Sequence, residues 1–296
     1  MLKTLICGTL LAATSLAAQA GDTKISYAIT PVMVPEFNLD SGGSADATWM
    51  MASIGVNQQL DAQSSIGIDL AASRQDWTFH DVKAWGNVEQ PWGVLHRWTV
   101  AVPYTFASSS GWLYSVAPGV ELSSESGAAN RDSVSYGATA FAAKMISPSL
   151  MLGLGVSAWT GLEDASVFPF LVVNWQITDS LRLANPFKAG PAGPAGLELS
   201  WKATPALELG AGGTFRSFTS RLSGQNQVAA NGLLEDNSMP VFMRASYSIS
   251  KELRFDAYAG AAMGGEFEIR NAQNQVVRTE KHDAMPFLAL TASGSF

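Results

Sequence analysis

The chain has 296 residues, 47% apolar and only 15% charged, with 25 acidic against 18 basic side chains and a net charge of −7. The acidic excess excludes a nucleic-acid partner, which needs a basic stripe. A single cysteine excludes a disulfide framework, and the charge content falls well short of the quarter usual in soluble domains.

Residues 1–20 read as a cleaved signal peptide. Lys3 supplies the positive start, Leu5 to Leu16 the apolar stretch, and Ala18-Gln19-Ala20 the small-x-small cleavage site. About a dozen apolar residues cannot span a bilayer as a helix, which needs roughly 20. Cys7 lies inside this segment, so residues 21–296 contain no thiol for a metal site or a nucleophile. Lys3 is the only charge removed, leaving 17 Lys+Arg against 25 Asp+Glu, a net −8.

From residue 21 onward the apolar pattern has period 2, the signature of strands. It predicts strands near 24–34, 46–58, 64–78, 93–107, 111–123, 132–146, 149–160, 166–177, 180–186, 195–203, 206–221, 238–249, 252–270 and 284–296. That makes 14, or 12 if the first strand and the short 180–186 segment are left out. Tight polar turns at Ser147-Pro-Ser, Thr178-Asp-Ser, Thr204-Pro-Ala and Ser250-Lys-Glu all fall on one side. Longer polar loops near 36–45, 79–91, 123–132, 222–237 and 271–283 fall on the other. The stretch "AGPAGPAG" at 189–196 has the collagen period for three glycines only. It reads as a surface loop between two strands.

Alternating strands suit a soluble β-protein, with its apolar face inward, or a membrane barrel, with that face outward. Three features favour a single closed antiparallel transmembrane β-barrel over residues 21–296, with short periplasmic turns and longer extracellular loops. The polar strand faces carry charges of both signs that can pair in a lumen: Glu198, Lys202, Glu208, Arg216, Arg244, Arg254 and Asp256. Trp49, Trp77, Trp92, Trp112, Trp159 and Trp175 lie toward strand ends, where interfacial girdles place them. The final strand, AMPFLALTASGSF, runs to Phe296.

A terminal strand ending on Phe resembles the C-terminal signal that the barrel-assembly machinery of bacterial outer membranes reads. Gly294 departs from that pattern, where a larger apolar residue is commoner. The stretch from Phe168 to Leu222 is similar to a family of bacterial outer-membrane barrels defined only as a domain of unknown function. The shared pattern is an apolar strand ending in Trp175, a tight turn at Thr178–Ser180, a Pro/Gly loop over Pro186–Gly196, and aromatic-Arg at Phe215-Arg216. This resemblance implies the fold and an outer-membrane location, and supplies no mechanism.

The chemistry-bearing residues are sparse. His80 and His282 fall in loops and His96 on a strand, with no metal-ligand spacing among them. An outer-membrane hydrolase places a His and a Ser two apart on one strand face. Here Trp98 stands at that offset from His96. Asp69, Glu121 and Glu208 could pair as acid and base, and equally with lumenal Arg and Lys. Arg216, Arg244 and Arg254 form either a basic ladder for anionic solutes or ion pairs with Glu198, Glu208 and Asp256. No cofactor motif is present. The expectation is a non-enzymatic barrel in outer-membrane lipid, a passive channel for a small polar solute or a structural envelope protein. The alternatives are an outer-membrane lipid-modifying hydrolase and a soluble exported β-protein.

Overall fold

A computed structural model describes residues 23–188, 190–250 and 252–296. The expected signal peptide lies outside them. Seventeen strand segments alternate with turns. They are β1 (Thr23–Asn38), β2 (Ser44–Gln59), β3 (Ser64–His80), β4 (Val94–Ala101), β5 (Tyr104–Ala107), β6 (Trp112–Glu125), β7 (Val134–Ser147), β8 (Leu150–Trp159) and β9 (Ser166–Gln176). Then follow β10 (Leu181–Ala184), β11 (Gly196–Lys202), β12 (Leu207–Thr214), β13 (Arg216–Arg221), β14 (Leu233–Ser248), β15 (Arg254–Arg270), β16 (Val276–Lys281) and β17 (Met285–Ser295).

Three wall strands are each broken into two segments, β4/β5, β12/β13 and β16/β17, so the seventeen segments make a barrel of 14 strands. Neighbours in the wall are antiparallel, and β17 pairs with β1 to close the ring. The seam reaches Phe296, whose carbonyl accepts from Ile25 N at 2.8 Å and whose amide donates back at 2.9 Å. Connections at one end, here the turn end, have two to five residues, and those at the other, the loop end, five to thirteen.

The outer face carries the exposed apolar side chains, such as Ile66, Ile68, Leu70, Leu154 and Met243. On β3 this face changes chemistry along its length. Ile66, Ile68, Leu70 and Ala72 give way to Arg74, Asp76, Thr78 and His80 toward the loop end. The apolar run from Ser64 to Ala72 matches the roughly 9–11 residues a tilted strand needs to cross a hydrocarbon core. Tyr104, Tyr114, Trp175, Trp201 and Tyr247 ring the outer face at the turn end, while Trp98 and Tyr136 mark the other edge.

The loop-end half of the lumen is filled. Beyond Thr214 the chain leaves β11, and β13 stays paired with β14 while crossing to β6. There Arg221 meets Ser124 in a short parallel contact, and Ser220 Oγ lies 2.9 Å from Ser123 Oγ. The crossing hairpin closes a smaller ring of β1, β2, β3, β4, β6, β13, β14, β15 and β16. Its interior is an aromatic plug. Trp92, fully buried, touches Trp77, Phe79, Trp85 and Phe267 with centroids 4.6–6.0 Å apart.

Three sequence expectations are corrected here. Trp49, Trp77 and Trp92 point inward rather than into a lipid girdle, because a narrow ring must be filled by large side chains, and Trp159, on β8 outside that ring, also points inward, over Gly137. Trp112 and Trp175 do stand on the outer face at the turn end. Residues 233–237 and 276–281, expected as loop, extend β14 and form β16. The first residues of β14 are buried or half-buried on both faces and β16 is exposed along almost its whole length, so neither shows the alternation that marks a strand.

The Pro/Gly connection between β10 and β11 is not a surface loop. It turns into the lumen, where Ala192 is 2% exposed and its carbonyl accepts from Thr214 Oγ1 at 2.7 Å. Lys188 reaches Asp69 on the far wall, 2.7 Å away. Because β10 has four residues, the upper edge of β9 lacks a neighbouring strand. Asn185 closes part of that edge, accepting from Val173 N and donating to Leu171 O, both at 2.9 Å. By strand alternation the amides of residues 171 and 169 also face the gap, and the second is Pro169, which has no donor.

Candidate functional site in the lumen

The turn-end half of the lumen is polar. Strand alternation places Glu198 (β11), Glu208 (β12), Arg244 (β14) and both Arg254 and Asp256 (β15) on the inner face of four consecutive wall strands. Arg244, 4% exposed at its side chain, is the hub. Its Nε donates to Glu198 Oε1 at 2.9 Å, Nη2 to Glu208 Oε1 at 2.6 Å, and Nη1 to Asp256 Oδ1 at 3.1 Å. Arg254 Nη2 donates to the same Asp256 oxygen at 2.6 Å, and Ser246 Oγ also donates to it. Gly210 leaves the space. A Cβ there would stand 2.3 Å from Glu198 Oε1.

The other sequence-named residues divide. Lys202 opposes Glu208 across the β11–β12 ladder but stays exposed, without an ion pair among the described residues. Arg216 joins the plug instead, 4.7 Å above the Trp49 ring and 3.5 Å from Asp236. Thus Arg216, Arg244 and Arg254 do not make a continuous ladder. Asp69 meets Lys188, and Glu121 meets Arg97 at 3.0 Å. Phe296 is exposed on the seam, its ring 6.4 Å from that of Tyr27. His80 pairs with Asp46 at 2.9 Å, His282 packs on Phe37 and Phe267, and His96 Nε2 lies 3.0 Å from Ser126 Oγ.

Between the ion network and the plug lies a cavity of about 630 Å³. It reaches the turn end at Lys24, Leu253 and Ser295 and is bounded above by Arg97, Arg216 and Phe218. The Pro/Gly connection, from Phe187 to Pro194, forms one wall. Sequence reasoning missed this role for Lys24, Arg97 and Lys188. Arg97 was marked only by its place on the face shared with Thr99, and Lys188 by nothing local.

The family described as "Domain of unknown function (DUF6268)" matches residues 95–292. The chain belongs to this family. The matched residues run from β4 to β17, and so include the ion network, the crossing hairpin and the Pro/Gly connection. No curated protein matches the chain. Among solved structures it is similar to an outer membrane channel from Pseudomonas putida F1, at 12% identity and a TM-score of 0.46, over 94% of this chain and 96% of that one. It is also similar to the Pseudomonas putida toluene transporter TodX, at 9% identity and a TM-score of 0.49, over 95% and 91%. The KdgM porin follows at 11% and 0.33, over 91% and 99%.

Proposed function

We propose that this family member is an integral, non-enzymatic barrel of the bacterial outer membrane, exported by residues 1–20, that acts as a normally closed channel for a small solute. The turn end faces the periplasm and the longer loops face outward, the orientation usual for such barrels. Phe296 is then the residue offered to the barrel-assembly machinery. The observation that carries this reading is the pairing of a lipid-type outer face with a cavity that reaches the turn end and stops at the aromatic plug. Loop 81–93 supplies Val82, Trp85 and Trp92 to that plug, so it is the element that must move to open a path.

Planar-bilayer recording tests this. The wild-type barrel should be silent at rest. A variant with residues 82–92 replaced by a short Gly/Ser linker should show discrete open steps, provided it still migrates as a folded, heat-modifiable barrel. Steady conductance in the wild type would refute the plug. A folded but silent linker variant would refute the channel.

A second reading rests on one contact. His96 and Ser126 meet on the outer side of the wall, just beyond Trp98, where an imidazole could take a serine proton from a nucleophile facing lipid. Against it, both carboxylate oxygens of nearby Asp76 are held by Arg74, and His96 Nδ1 has no partner among the described residues. A fluorophosphonate probe, whose fluoride a serine oxygen displaces, should leave the wild type unlabelled. Labelling that disappears in Ser126→Ala and His96→Ala would instead establish the hydrolase.

A further inference from the structure

The charges on the cavity wall are one-sided. Lys24, Arg97, Lys188, Arg216 and Arg254 line it, against Asp69 alone. The acids that pair with the arginines, Glu121, Asp236 and Asp256, lie behind the surface and are not part of the lining. Lys24 has no ion-pair partner among the described residues. Five cationic residues thus line the cavity against one acid, Asp69, which is paired with Lys188.

Two of these heads flank one ring. Arg97 Cζ is 4.1 Å and Arg216 Cζ 5.3 Å from the centroid of Phe218, which places them within about 9 Å of each other. Arg97 holds Glu121 at 3.0 Å, but the acid contact of Arg216 is incomplete. The Arg216–Asp236 pair is 3.5 Å long, and Arg216 Nε and Asp236 Oδ1 are buried without hydrogen-bond partners. A buried guanidinium donor left unsatisfied is costly, and an anion is the ligand that satisfies it. Below this clamp the wall turns apolar, with Met51, Phe187 and Phe218 along it. The volume, about 630 Å³, falls within the 300–1,000 Å³ of small-molecule sites.

We propose that the cavity is a binding site for a small organic monoanion with an apolar body, its carboxylate taken by Arg97 and Arg216 at the edge of the Phe218 ring and its body against Phe187. The guest comes from the turn end, where Lys24 is the first cation met. This names the solute class for the channel reading and rests on that reading for its biological use, but the binding itself stands on the cavity alone.

Isothermal titration of the full chain in detergent, corrected for empty micelles, tests it. The probes are 2-naphthoate, 2-naphthylmethanol and 2-naphthylmethylamine, which share a body and differ in charge. Naphthoate should bind at least tenfold more tightly than the alcohol, and the amine should bind least. Arg97→Gln should remove that preference, bringing naphthoate affinity down to that of the alcohol. Lys24→Gln, whose side chain holds nothing else, should weaken naphthoate binding two- to threefold and reduce its salt dependence. Equal binding of all three probes by the wild type would overturn the site without any variant, as would naphthoate binding unaffected by Arg97→Gln in a barrel that still shows heat-modifiable migration. The two readings fail separately. A linker variant that conducts while the wild type ignores naphthoate defeats only the site. A barrel that binds naphthoate while every plug variant stays silent defeats only the channel.

Discussion

Arg244 shows how a single residue fixes the turn-end lumen. Three carboxylates, Glu198, Glu208 and Asp256, converge on it from three strands. Arginine suits this place because its planar fork donates in several directions at once and stays charged. A buried pair contributes little net stability over a well-packed apolar substitute, yet breaking one side strands its partners. Arg244→Met should therefore destabilise the barrel by about 3–5 kcal/mol, read as a shift in the urea midpoint of refolding into lipid vesicles. Replacing Glu198, Arg244 and Asp256 together by apolar residues of similar size should cost much less. Outside the apolar band, the same kind of hydrogen bonding acts on exposed carboxylates. Asp61, in the turn between β2 and β3, accepts from Ser64 Oγ and from the amides of Gln63 and Ser64, and is held below the ordinary aspartate range.

At the level of elements, the seam and the crossing hairpin matter most. Phe296 makes two backbone bonds with Ile25 and carries an exposed ring beside Tyr27. These roles separate experimentally. Deleting Phe296 removes ladder bonds and ring together and should lower the folded, heat-modifiable fraction several-fold in vivo. Phe296→Ala keeps the backbone bonds. If it lowers membrane levels as much as the deletion while refolding normally in vitro, the ring is what the assembly machinery reads. Equal membrane levels for all three proteins would remove the ring's role. The hairpin of β13 and β14 is different, because its parallel contact joins Ser124 to Arg221, far apart in sequence. Arg221 fastens it by donating to the carbonyls of Asp132, Asn231 and Leu162. Nothing in the local pattern of 216–221 distinguishes a strand in the wall from one that leaves it.

The whole molecule tapers, from 14 strands at the turn end to nine at the plug. That difference explains which parts of the sequence were legible. Where the ring is wide, one face meets lipid and one meets a polar lumen, so β11, β12 and β14 show period 2 and Glu198, Glu208, Arg244 and Asp256 could be assigned to the inner face from spacing alone. Where the ring is narrow the pattern inverts: inner Trp77, Phe79 and Phe267 are apolar, while outer Thr78, His80, Glu266 and Glu268 are polar. Their strands remained visible, but the side each tryptophan faces did not. The cavity was illegible for another reason. Arg97, Arg216 and Lys188 come together only through the crossing hairpin and the inward Pro/Gly connection, and neither fold-back is written in hydrophobic period. The short β10 and the prolines after it, Pro186, Pro191 and Pro194, left a trace, which reads equally well as an ordinary exposed loop.

The aromatic plug also has an electrical meaning. A packed layer of indole and phenyl rings around Trp92 is an insulator, whereas the cavity beneath it is continuous with the turn-end solution at Lys24 and Ser295. With the plug shut, any potential across the membrane drops over that layer and the cavity stays at the voltage of the compartment it opens to. A charged guest then enters without moving through the field. Its occupancy is set by concentration and by the cations on the wall, and only opening the plug exposes it to the membrane potential.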